Sequence, residues 1–198
     1  MKSPGDSVET MKRRQQAATE VLGLFQENFQ TTFESHPPTV LFAGAWLAGT
    51  SLYRSFGYAD TADPGTIILS DQANEEWPKL MNVYLYAVME KSRIPVNPQE
   101  MILEIPQEYK AKKDILKIQE LFQDTYHQIM RKHGFDYVGG AQVGAFICAI
   151  ITETHCLHRK DLDPKLAVGI VSMGFVEGAK TCPLPLKSEV HPAIKPAL

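Results

Sequence analysis

The sequence lacks most of the features that mark a function class. Its 198 residues carry a formal net charge of −3. A domain that grips phosphates needs a basic excess, so a general nucleic-acid-binding role is not expected. The one tight basic run, Lys12-Arg13-Arg14, lies in the first turns of a long helical pattern and reads as a solvated face. Cysteine is scarce: Cys148, Cys156 and Cys182 are an odd set with no Cys-x-x-Cys spacing. That usage suits free thiols in a reducing, cytoplasmic setting and excludes a disulfide scaffold. The segment from Met1 to Asp6 has charge but no apolar core after it, so no signal peptide is expected. Long apolar runs are missing as well. The two candidates, Val40 to Tyr53 and Val138 to Ile151, are about 14 residues each, short of the roughly 20 that cross a bilayer. Both read as buried core helices, and no membrane span is expected.

Catalytic signatures are also sparse. There is no Gly-x-Ser-x-Gly and no glycine-rich dinucleotide fingerprint. The stretch from Gly174 to Thr181 resembles a phosphate loop only superficially. Ala179 separates Gly178 from Lys180, and the stretch follows a helix start rather than a strand.

What is present is helical periodicity. Ala18, Val21, Leu22, Phe25, Phe29, Thr32 and Phe33 recur at three and four residues, with His36-Pro37-Pro38 expected to stop that helix. A second helix is predicted from about Thr39 to Phe56. One narrow face holds Gly44, Ala48, Ser51 and Ser55, and another holds Phe42, Trp46 and Tyr53. Small residues let a neighbouring helix approach closely. The connection from Gly57 to Ser70 contains Asp60, Asp63, Pro64 and Gly65, with Ile67-Ile68-Leu69 as a short extended piece. A third helix then runs to about Arg93, capped by Ser70 or by Asn74, with Pro78 in its first turn.

Ile94 to Gln107 holds three prolines but is too apolar for a tether, so it is expected to pack across the helices. A fourth helix is predicted from about Glu108 to Lys132, ended by Gly134. A fifth, Gly139 to His158, is apolar nearly all round, which places it inside a bundle. Asp163-Pro164 starts the last helix, and Gly174 and Gly178 form a second close-packing pair. The fold class is therefore all-α: about six helices in one bundle over residues 1–182, followed by an extended proline-rich tail, 183–198.

Leu24-Phe25-Gln26-Glu27 recurs as Leu121-Phe122-Gln123-Asp124, an offset of 97 residues. At the same offset Phe29 meets Tyr126, His36 meets His133 and Ala48 meets Ala145. A duplicated helical hairpin, near 15–56 and 108–158, would explain the match. Shared amphipathic composition is the plainer account.

Three groups are candidates for chemistry. Arg54 ends a helix with no other charge from Val40 to Phe56, where a guanidinium needs a carboxylate, phosphate or carbonyl partner. Asp71, Asn74, Glu75 and Glu76 are the candidate partners, and Arg54, Asp71 and Asn74 form the candidate ligand site. His155 and His158 stand one turn apart beside Glu153 and Cys156. They are the candidate metal ligands, although a polar last turn at the negative end of a helix dipole explains them as well. Adjacent residues on a helix point about 100° apart, so His155 is poorly placed to activate Cys156. Glu120, Asp124 and His127 share a helix face that reads as solvated, with Lys117 and Arg131 in ion-pair reach.

These readings favour a non-catalytic module that binds a partner protein or a small apolar or anionic ligand. A metal- or thiol-dependent enzyme using His155, Cys156 and His158, and a structural homodimer, are the alternatives. The sequence names no cofactor.

Overall fold

A computed structural model describes residues 8–29, 36–58, 62–97, 102, 104–112 and 114–187. Six α-helices build it: α1 Val8–Asn28, α2 Pro37–Ser55, α3 Asp71–Tyr86, α4 Ile115–Lys132, α5 Tyr137–Thr152 and α6 Pro164–Lys180. A wide π-turn extends α3 through Ala87–Lys91, another extends α5 through Glu153–Arg159, and a 3₁₀ turn spans Gln107–Tyr109. No strand forms among the described residues; Ile67 and Thr181 share one antiparallel bridge.

The helix starts follow local chemistry. The Ser70 hydroxyl accepts from the Ala73 amide, and the Asp114, Asp136 and Asp163 carboxylates accept from the first-turn amides of α4, α5 and α6. Each satisfies donors that the helix leaves unpaired at its N-terminus. Ser70 caps α3 as expected, while the readings of Pro37-Pro38, of Pro78 and of the start of α4 change. Pro37 and Pro38 open α2 behind His36 instead of only ending α1, because the first helical turn needs no amide hydrogen. Ser70, not Asn74, caps α3, so Pro78 lies inside that helix. Likewise α4 starts at Ile115, after the 3₁₀ turn, and not at Glu108. Thr32, Phe33 and Asp60 lie outside the described residues.

Helix α2 is the axis of the bundle, buried from Pro37 to Tyr53. On one side it runs parallel to α6. Ala45 and Gly49 face Gly174 and Gly178 so closely that a Cβ added to Gly178 would stand 2.5 Å from the Trp46 carbonyl oxygen and 2.9 Å from the Gly49 Cα. Only glycine lets two backbones meet at that distance. On the other side α2 runs antiparallel to α5. There a Cβ on Gly144 would stand 2.6 Å from the Ala48 Cβ, and one on Gly44 would stand 3.3 Å from Cys148 Sγ.

Helices α1 and α4 close the second layer over α5 and α2 respectively, and they touch each other. Phe25 of α1 and Phe122 of α4, which share a position in the offset of 97 residues, meet edge to face at 5.2 Å. Ile94, Val96 and Ile105 are buried, so the proline-containing segment packs across the helices as its apolar content requires. Met101 and Leu103 lie outside the described residues.

Tyr137–Arg159, α5 with its π-turn, is long and apolar enough by composition to cross a membrane; 61% of its apolar window is buried inside the fold, as for a core helix. In the Lys12-Arg13-Arg14 run only Lys12 is exposed as expected of a solvated face; Arg13 and Arg14 are engaged. Arg13 Nη1 donates to the His133 carbonyl at 3.2 Å and its guanidinium lies over the Phe135 ring, while Arg14 Nη2 donates to Gln142 Oε1 at 3.2 Å. Both pin α1 to the α4–α5 corner.

Candidate functional site

The core face of α4 carries Ile118, Phe122, Tyr126 and Ile129. Beside it, at steps of four residues, Gln119, Gln123 and His127 form a second stripe with exposures of 0, 2 and 3%. Side chains four apart stack along one line of a helix, so these three make a continuous polar seam. Buried amides need partners, and the chain's own C-terminal segment supplies one to each glutamine, while Gln119 Nε2 has none among the described residues. The Leu184 amide donates to Gln119 Oε1 at 2.9 Å, and Gln123 Nε2 donates to the Leu184 carbonyl at 3.0 Å. Arg54 Nη2 donates to the same carbonyl and to Gln123 Oε1 at 3.4 Å.

One turn along, the Lys187 amide donates to Asp124 Oδ1 at 3.0 Å and its ammonium lies 3.4 Å from Asp124 Oδ2. Leu186 is buried. The described start of the proline-rich tail, 183–187, is thus a strap laid along α4, and residues 188–198 lie outside the described residues.

The seam ends at His127. Its imidazole is the inner wall of a pocket of about 240 Å³, completed by Met130, Arg131, Phe135, Asp136 and Tyr137 where α4 turns into α5. The Tyr126 and Tyr137 rings stand edge-on to the imidazole at 5.5 and 5.3 Å. His127 Nε2 is buried and has no hydrogen-bond partner among the described residues. Burial, followed by the positive charges of Arg54 and Arg131, pushes the imidazole pKa down to about 3, with Asp124 opposing. The ring is therefore neutral near pH 7, offering one donor and one acceptor nitrogen. So weak a base is a poor proton acceptor for catalysis at that pH, while its capacity to hydrogen-bond a ligand is intact. Asp136 lines the same pocket with its Oδ1 committed to the Gly139 amide.

His127 therefore does not share a solvated face with Glu120 and Asp124. Glu120 is exposed and pairs with Lys117 at 2.8 Å, Asp124 holds the strap, and His127 turns inward with the two glutamines. Sequence reasoning passed over Gln119 and Gln123 because a lone glutamine reads as surface. The available signal was their spacing, two amides and an imidazole at i, i+4 and i+8 bordering an apolar stripe.

Arg54 is held by a carbonyl and an amide, one of the partner types its setting requires. The bonds described for it run to α4 and the strap, whereas Asp71 and Asn74 are exposed in the first turns of α3. The candidate metal ligands diverge. The His155 side chain is fully buried with Nδ1 2.9 Å from Asp161 Oδ1, while His158 is 64% exposed, 3.6 Å from Glu153. Among the described residues no group of three or more His, Cys, Asp or Glu is placed to hold a metal. Burial, then Asp163 and Asp161, pushes the Cys156 thiol up to about 12, the opposite of the shift that makes a thiol nucleophilic. No protein family matches the sequence, and no match is found among curated proteins or solved structures.

Proposed function

We propose that the protein is a non-catalytic binding module whose ligand is a small, flat, largely apolar acid seated at the α4–α5 corner. The observation that carries this reading is the neutral, buried imidazole of His127 at the wall of a pocket whose apolar lining is Met130, Phe135 and Tyr137 and whose charged lining is Arg131 and Asp136, the latter with its Oδ1 committed to the Gly139 amide. Small-ligand sites are mostly apolar, with a few polar groups that fix orientation. Met130, Phe135 and Tyr137 supply the apolar walls, His127 the inner hydrogen bond and Arg131 a cation at the mouth. A carboxylate is the ligand group that satisfies both, since arginine recognises planar oxyanions in bidentate fashion.

The test is a thermal-shift and calorimetric screen of aromatic and alicyclic carboxylates beside their neutral amides. A binding acid should raise the melting temperature through linkage. His127→Leu, which keeps the pocket apolar, should weaken that acid about tenfold or more, the loss expected for one hydrogen bond to a charged group. Equal response of His127→Leu and the native protein, or no response to any acid, removes this reading.

A further inference from the structure

A second site of opposite charge preference lies where α6 passes the start of α4. Two adjoining depressions of about 330 and 400 Å³ share Asp114, Ile115 and Glu177. The first is walled by Phe42, Tyr109 and Met173, and the second by Ile67 and Leu116. Ile67 is 69% exposed, which continues the apolar surface outward. Glu177 sits at the junction, half-buried and with no ion pair or hydrogen bond among the described residues. Burial raises its carboxyl above the ordinary glutamate range. Asp114, at the rim, spends its Oδ1 on the Leu116 amide. Lys110 also lines the first depression and is exposed to water that screens it.

We infer that this groove binds a lipophilic ammonium compound, its alkyl chain lying against Phe42, Tyr109 and Met173 and its cationic head on Glu177. A carboxylate in an apolar trough is poorly solvated and gains most from a cation that brings its own apolar surface. The same charge works against an anionic amphiphile of equal length, so the site discriminates by head group. This inference is independent of the His127 pocket, which prefers anions.

The experiment titrates the full chain, labelled with ¹³C at its methionine methyls, with dodecylammonium and separately with dodecanoate, each below its micellar concentration. The expected result is a saturable shift of the Met173 methyl with dodecylammonium and none with dodecanoate. Glu177→Gln preserves shape at a half-exposed position and should fold as the native protein does, which its melting temperature checks. In that variant the dodecylammonium affinity should fall about tenfold or more. Equal binding of the two amphiphiles, unchanged affinity in Glu177→Gln, or no saturable shift at Met173 overturns the inference.

Discussion

Where α2 crosses α6, glycine meets glycine and the two backbones leave no space between them; where the same helix ends against α4, Arg54 reaches Gln123 and a strap carbonyl. The first contact is specified by the absence of side chains. The second is specified by hydrogen bonds, each of which can be exchanged for another partner. Close backbone contact therefore concentrates at the crossing, and buried polar side chains concentrate along the seam. Functional sites are expected where packing rules are relaxed and buried polar groups accumulate.

The largest effect that separates the two regions is expected at Gly178. Any Cβ there meets the Trp46 carbonyl and the Thr50 amide, which belong to backbone and cannot rotate away. Gly178→Leu should cost about 4 kcal/mol or more, a large share of an ordinary domain's stability. Urea denaturation followed by circular dichroism reads this directly. A midpoint within experimental error of the native value would mean that the helices separate freely, and the contrast drawn here would collapse.

The acid response of His127 comes next, and it tests the seam instead of the crossing. Unfolded, the imidazole takes its proton near pH 6.5; folded, it stays neutral down to about 3. The unfolded state therefore binds more protons between those values, so stability falls as the pH is lowered through that window and is fully present above it. The full shift sets an upper limit of roughly 5 kcal/mol on the effect. His127→Gln should flatten that part of the stability–pH curve. A variant curve parallel to the native one between pH 6.5 and 3 would assign the acid sensitivity to other groups.

The close helix contacts are partly legible in the sequence and the seam is not, for a physical reason. Gly44 and Ala48, which pack on α5, and Gly174 and Gly178, which pack on α2, stand out because small residues at four-residue spacing have one common use, close helix approach, whereas Gly49, which meets Gly178, does not. Ser70 and Asp163 are caps whose partners lie within three residues, so the local sequence contains them whole, while Asp114 and Asp136 cap helices whose apolar pattern suggests other starts. Gln119 and Gln123 depend on Leu184, more than sixty positions away. Nothing near them indicates that a strap will bury them. His127 reads as solvated for the same reason, and Pro37-Pro38 reads as a helix end because the apolar pattern of the following helix starts only after it. Arg54 lay between these cases. Its need for a partner followed from an uncharged helix, while the identity of that partner depended on the distant chain.

The smallest effects separate the charges that hold the strap from the amides that do. Lys187 and Asp124 make an exposed ion pair, the lysine 85% accessible, and such pairs contribute little. Lys187→Met keeps the backbone bond to Asp124 Oδ1 and should change stability by less than about 0.5 kcal/mol. Arg54→Met removes a charged donor from a half-buried position and should cost about 2 kcal/mol. It also takes away a positive charge that depresses the His127 pKa. In the Arg54 variant that pKa should therefore rise, and the Lys187 substitution should leave it in place. Following the His127 ring proton by NMR across an acid titration distinguishes the two. A His127 pKa that does not move in Arg54→Met would show that burial alone holds the imidazole neutral and that the guanidinium acts only on the strap.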